Sequence, residues 1–215
     1  GELAGRRVLV AGARVAGIAS ARALLRAGAL VTVVDAAALP ALDDLAALGA
    51  RTAVGTGLDQ LPGQDEVVVS PGFAPHHPLA AAAVDKGLPV YSEPELAWRL
   101  RGPDAPPWLA VTGTNGKTTT TTMLAAILAA AGLRAAALGN VGEPLVDATG
   151  YDVLAVELSS FQLYWSRLLA PQAGALLNLA EDHLEWHGTF EHYTAAKTHI
   201  WRAARAGAGR AAGRA

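Results

Sequence analysis

The strongest chemical signal in this 215-residue chain is Val111-Thr-Gly-Thr-Asn-Gly-Lys-Thr118, set between an apolar run and an Ala/Thr-rich stretch. In a loop of this composition the backbone amides turn inward, and the following helix adds the positive end of its dipole. Together they hold phosphate oxygens. Lys117 is then placed for β- and γ-phosphates, and the Thr118 hydroxyl for Mg²⁺. Gly113, Thr114, Asn115, Gly116 and Thr119 complete the cradle, while position 111 carries Val where the usual pattern has Gly. An ordinary turn capping a helix is the bland alternative. Strand, loop, Gly-Lys-Thr and helix in register favour phosphate.

Further residues carry chemistry by type and place. Glu157 closes an apolar strand, DVLAVE, and a carboxylate at the carboxyl end of a parallel strand faces the crevice where α/β ligands bind. There it is a hard oxygen ligand for Mg²⁺, or else a cap on the next helix. His183, in Asn178-Leu-Ala-Glu-Asp-His183, is either a second metal ligand or a surface residue. Lys197, in TAAK, reads on its own as a solvated charge. Near the N-terminus, Gly12-Ala-Arg-Val-Ala-Gly17 follows a strand and Asp35 ends the next one. This is a dinucleotide-type fingerprint with Arg14 in place of the middle glycine, which weakens a dinucleotide reading. Asp35 remains placed for a ribose hydroxyl. Alternatively, Gly12 and Gly17 only pack helix on sheet.

These residues need a scaffold of parallel strands. Arg7–Ala11, Leu30–Val34, Asp65–Ser70 and Pro89–Tyr91 read as buried strands. Helices are expected at Ala16–Ala27, Leu39–Leu48, Pro78–Lys86 and Glu93–Leu100. Arg101–Pro107, with three prolines in seven residues, reads as a linker. The pattern restarts with a strand at Trp108–Val111, a helix at Lys117–Ala131, strands at Arg134–Leu138, Asp152–Glu157 and Ala173–Leu177, and a helix at Phe190–Ala204. Such alternation in both halves predicts two parallel α/β units, the first Rossmann-like. Trp201–Ala215 holds seven Ala, four Arg and three Gly and no carboxylate; it reads either as a disordered basic tail or, the favoured expectation, as a second unit that stops mid-domain.

Composition narrows the function. A net charge of −2 and a pI near 6.3 argue against general nucleic-acid binding. With no cysteine there is no disulfide framework and no thiolate metal site. Thr118–Leu133, 16 uncharged residues opening with five threonines, is too short for a membrane span. Arg14 ends the first apolar run too early for a secretory signal. A cytoplasmic protein with no membrane partner is expected.

Taken together, TGTNGKT, Gly139-Asn-Val-Gly142, ELSSFQL, NLAEDH and the spaced AAK resemble the ATP-dependent Mur ligase family. ELSSFQL, Asp35, Ser70-Pro-Gly-Phe73 and His77-Pro78 resemble its D-glutamate-adding branch. The resemblance covers Arg7 to about Ile200. It implies that residues 1–102 form a UDP-sugar-binding domain, 103–107 a linker and 108–215 a truncated ATP-binding central domain, with the C-terminal domain absent. It implies ATP and Mg²⁺ as cofactors, and UDP-N-acetylmuramoyl-L-alanine and D-glutamate as partners of a monomeric enzyme. ATP would phosphorylate the alanyl carboxylate, and the amine of D-glutamate would displace the phosphate. By the same resemblance Lys117, Glu157, His183 and Lys197 are catalytic, and Thr118, Glu157, His183 and Lys197 hold metal, Lys197 as a carbamate. Val15, Ala16, Asp35, Ser70, Gly72, Asn140 and Ser159 bind substrate. Ala36 and Ala37 stand where polar partners often follow Asp35. A fragment of this kind is expected to be inactive by itself. Other amide ligases of the superfamily, such as folylpolyglutamate synthase or cyanophycin synthetase, share the loop but not the N-terminal domain. A non-catalytic nucleotide-binding module is the alternative from another class.

Overall fold

Valine-rich runs with side chains buried on both faces make central parallel strands, and Ala-rich stretches of helical period cover them. A computed structural model describes residues 2–55 and 63–201. The chain divides into two compact units, Gly1–Leu96 and Ala97–Ala215.

In the first unit the order is β1 (Arg7–Ala11), α1 (Val15–Arg26), β2 (Leu30–Asp35), α2 (Pro40–Ala47), β3 (Arg51–Val54), β4 (Glu66–Val69), α3 (Pro78–Asp85) and β5 (Val90–Tyr91). Helix α4 (Glu93–Leu100) carries the division between the units. The sheet is parallel throughout, in the order β3-β2-β1-β4-β5. Val8, Leu9 and Val10 of the central strand are fully buried. Arg7 pairs with Asp65 at 2.7 Å, and that guanidinium holds the Asp65 carboxyl down at about 2.

The second unit runs β6 (Trp108–Thr112), α5 (Lys117–Ala130), β7 (Ala135–Gly139), β8 (Val153–Glu157), α6 (Ser160–Tyr164), β9 (Ala173–Leu176), α7 (Leu184–His187) and α8 (Phe190–Thr198). Its sheet is again all parallel, ordered β7-β8-β6-β9. Trp108, Leu138, Leu154, Val156, Leu163 and Ile200 form its core. Residues 97–107 belong to this unit, and Trp98 packs edge-on against Trp108 with ring centroids 5.2 Å apart.

The α/β class with parallel sheets is as the sequence leads one to expect. Three elements were not anticipated: β3, α6 and α7. The last helix is shorter than expected. It closes at Thr198 and gives way to a 3-10 turn, His199–Trp201. The remainder of that expectation, with the tail, lies outside the described residues.

Candidate functional site

In the second unit the sheet order does the assembling. Strand β8 lies between β7 and β6, and Glu157 is in register with Gly139 on one side and Val111 on the other. The carboxyl ends of three adjacent strands therefore deliver Asn140, Glu157 and the loop after β6 to one place. Glu157 is 1% exposed. Its Oε1 accepts from Asn140 Nδ2 at 2.9 Å, and its Oε2 accepts from Thr118 Oγ1 at 2.8 Å. The Asn140 amide also donates to the Glu157 carbonyl at 2.9 Å. Gly139 makes this approach possible: at φ +104°, a Cβ there would sit 2.4 Å from that carbonyl.

The loop after β6 leads into α5, whose backbone amides are free of side-chain caps. Gly116, at φ +82°, is the N-cap of α5 and supplies no side-chain cap. The first-turn amides of a helix have no intrahelical acceptors, so α5 presents them and its dipole to the loop. Lys117 Nζ folds back to donate to the carbonyls of Gly113 at 3.0 Å and Thr114 at 2.9 Å. The segment after β9 braces the loop from outside. Asn115 N donates to Asn178 Oδ1 at 2.9 Å, and Asn178 Nδ2 donates to the Asn115 carbonyl at 3.1 Å.

Lys197 is not a solvated charge. It is 2% exposed on α8, and its Nζ donates to the Gly113 carbonyl at 2.8 Å. Burial, then the charge of Lys117, depress its pKa to about 8, with Asp182 opposing. His183 is placed differently. It takes up a left-handed backbone at φ +52°, lies on the Phe161 ring at 4.7 Å and faces Asp182 at 3.5 Å and Glu185 at 3.7 Å. Among the described residues no three His, Asp or Glu side chains gather to hold a metal ion. The structure therefore brings Thr118 and Glu157 together with Asn140, sets Lys197 on the loop backbone and leaves His183 outside both groups. The donor set at Thr118 and Glu157, hydroxyl and carboxylate oxygen, fits a hard divalent cation. Ser159 begins α6 in a capping box with Gln162, its Oγ accepting from Gln162 N at 3.2 Å.

Sequence reasoning missed the aromatic group beside the loop. His187 is buried against Phe161, Tyr164, Trp186 and Tyr193, and its Nε2 lies 3.0 Å from Ser160 Oγ. Burial, then His183 and other nearby charges, hold its pKa down at about 4.

The first unit has its own crevice at the carboxyl ends of β1 and β2. Gly17 lets α1 approach so closely that a Cβ there would lie 1.8 Å from the Gly12 carbonyl. Asp35 accepts from Ala13 N at 2.8 Å and from Ala37 N at 3.0 Å. Burial pushes the Asp35 carboxyl up, but those amides, with the Arg14 charge, outweigh it and hold the pKa below its ordinary value. The Ser70 hydroxyl oxygen is buried beside Gly12 and has no hydrogen-bond partner among the described residues. Val15 and Ala16 open α1, which has no side-chain cap, and Gly72 is exposed. A cleft of about 230 Å³ is lined by Asp35, Ala36, Gly55, Phe73, His77 and Leu79; of the predicted substrate residues only Asp35 is part of its lining.

Two all-parallel α/β units, one of them with a strand, a glycine-bearing loop and a helix in succession, define an α/β protein. Comparison with known proteins is specific. The MurD-like N-terminal domain of the Mur ligases matches residues 6–92, and the Mur ligase middle domain matches residues 111–209. The chain belongs to the Mur ligase family. The UDP-N-acetylmuramoylalanine–D-glutamate ligase of Streptomyces avermitilis is 53% identical over 92% of this chain and 44% of the relative. That of Frankia casuarinae is 54% identical over 93% of this chain and 44% of its own length. The chain thus spans under half the length of these curated relatives. Among solved structures, the Neisseria meningitides UDP-N-acetylmuramate:L-alanyl-gamma-D-glutamyl-meso-diaminopimelate ligase aligns with a TM-score of 0.57 at 24% identity. It covers 93% of this chain and 68% of that one, and speaks for the fold alone.

Proposed function

We propose that this chain carries the nucleotide-sugar and ATP sites of an ATP-dependent ligase that joins D-glutamate to UDP-N-acetylmuramoyl-L-alanine. A carboxylate is a poor electrophile at neutral pH, so the reaction needs a leaving group. ATP transfers its γ-phosphoryl to the alanyl carboxylate, the D-glutamate amine attacks the acyl phosphate, and the tetrahedral intermediate expels phosphate to leave an amide. Catalysis of such transfers is chiefly positioning and neutralisation of charge. In this reading the amides of Gly113–Thr119 hold the phosphates, and Lys117 leaves its carbonyl partners to meet them. Thr118 and Glu157 hold Mg²⁺, which offsets the negative charge of the reacting groups. His183 and Lys197 complete the metal set of the family, and reaching it requires both to leave the partners described above. The depressed pKa of Lys197 leaves part of it as a free amine at neutral pH, the form that takes up carbon dioxide as a carbamate.

In this reading Val15, Ala16, Asp35, Ser70 and Gly72 of the first unit serve the uridine diphosphate end, and Asn140 and Ser159 are assigned to substrate as polar groups of the second unit. A cytoplasmic, monomeric enzyme fits this role. Among the described residues no helix is long and apolar enough to cross a membrane.

The observation that carries this reading is the meeting of Thr118 and Asn140 on the Glu157 carboxylate beside the phosphate loop. Calorimetry tests it. The chain should bind a non-hydrolysable ATP analogue with Mg²⁺, and UDP-N-acetylmuramoyl-L-alanine more tightly than NAD. Analogue binding without any UDP-sugar binding would favour a folylpolyglutamate-type ligase instead.

A further inference from the structure

Beside Lys197, a second side chain that ties α8 to the loop after β6 is Tyr193. It is 1% exposed, and its hydroxyl lies 2.7 Å from Thr114 Oγ1. The same Thr114 oxygen accepts from Ala180 N at 3.0 Å and donates to the Ala180 carbonyl at 3.3 Å. A threonine hydroxyl has one proton and two lone pairs. All three are used when Tyr193 donates, Ala180 N donates and the Thr114 proton goes to the Ala180 carbonyl. One hydroxyl thus fastens three segments: the loop after β6, the segment after β9, and α8. Four residues further along α8, Lys197 reaches the neighbouring carbonyl of Gly113. Positions i and i+4 share a helix face, so α8 grips two consecutive loop residues with one face. The Tyr193 ring also lies 4.8 Å from Lys197 Nζ, which steadies the second contact through the first.

We propose that Tyr193 is a positioning residue: through Thr114 it holds the phosphate loop in its anion-binding shape and couples that loop to α8. It touches no phosphate itself. A loop released at Thr114 must be ordered when the nucleotide binds, and the lost order appears as lost affinity. The inference rests on the reading of Gly113–Thr119 as a nucleotide site.

Tyr193→Phe removes only the hydroxyl and keeps the ring against Lys197, His187 and Phe190. Thr114→Val removes that bond from the other side together with both Ala180 bonds, and Thr114→Ser retains all three. The measurements are calorimetric affinity for AMP-PNP with Mg²⁺ and the thermal midpoint of the parent chain, the three single variants and the Tyr193→Phe/Thr114→Val double variant. The expected result is an affinity loss of about 3- to 10-fold for Tyr193→Phe, the size of one net hydrogen bond. The double variant should bind no more weakly than Thr114→Val alone, and Thr114→Ser, which keeps the hydroxyl, should bind more tightly than Thr114→Val. Failure of the parent chain to bind AMP-PNP overturns the reading of the loop and this inference with it. Binding by the parent with unchanged affinity in Tyr193→Phe, or fully additive losses in the double variant, overturns this inference alone. Should Tyr193→Phe not fold, Thr114→Val against Thr114→Ser decides: equal affinities overturn the proposal, and a weaker valine variant supports it.

Discussion

Replacing Glu157 with glutamine separates a ligand from a structural carboxylate. Each Glu157 oxygen accepts one hydrogen bond, from Asn140 Nδ2 and from Thr118 Oγ1. In Glu157→Gln the amide oxygen can still serve Asn140, while the amide nitrogen donates to a Thr118 hydroxyl turned to accept. Both bonds survive, so the stability change should stay below about 1.5 kcal/mol, the upper worth of one net neutral hydrogen bond. Glu157→Ala instead empties a buried position and strands both donors, at about 2–4 kcal/mol. The functional effect runs the other way. Glutamine removes the negative charge, and a charge-assisted contact is worth about 1.5–3 kcal/mol, or roughly 10- to 150-fold in affinity. The assay is calorimetric titration with AMP-PNP, with and without Mg²⁺, beside urea denaturation of all three chains. The gain in affinity that Mg²⁺ confers on the parent should collapse in Glu157→Gln, while its unfolding midpoint stays near the parent's. Equal destabilisation by both substitutions, with the Mg²⁺ effect intact, would refute the reasoning and make Glu157 a framework residue.

Lys117→Ala should lower AMP-PNP affinity at least tenfold and cost under about 1 kcal/mol of stability, because it releases only two half-buried loop carbonyls; loss of helical circular dichroism would contradict this. Gly139→Ala should destabilise the second unit by about 2–4 kcal/mol, since its Cβ meets the Glu157 carbonyl at φ +104°, and an unchanged urea midpoint would speak against that geometry. His187 binds its proton at about 4 in the fold and near its ordinary 6.5 when unfolded, so the unfolded chain takes up more protons between those values. Stability present above about pH 6.5 should therefore drain away as pH falls toward 4. Thermal melts of His187→Gln should show a shallower acid slope than the parent, and identical slopes would assign the acid loss to other groups.

The elements that could be read in advance are those whose residues need no partner to declare themselves. RVLVA and LVTVV are apolar on both faces, which only a covered parallel strand tolerates. Arg51–Val54 escaped because it is an edge strand with mostly exposed side chains, so burial imposed no pattern on RTAV. The helix at Ser160–Tyr164 did leave a signal, since Ser159 and Gln162 stand at capping-box spacing, but five residues are too few for helical periodicity. Lys197 shows the deeper limit. Its neighbours in TAAK give a lysine every reason to face water, and the Gly113 carbonyl, 84 residues away, provides the hydrogen-bond acceptor that lets it be buried. The same holds for the group around the Glu157 carboxylate. Positions 118, 140 and 157 have no periodic relation along the chain. They meet because the strand order β7-β8-β6 sets three carboxyl ends side by side. Parallel strands make that order a consequence of crossover connections, and so of packing across the whole unit. Local motifs therefore name the groups that can act, while the sheet order decides which of them act together. On that basis Asn140 takes its place beside Glu157 from topology alone, while His183 packs on the Phe161 ring and faces Asp182 and Glu185 instead.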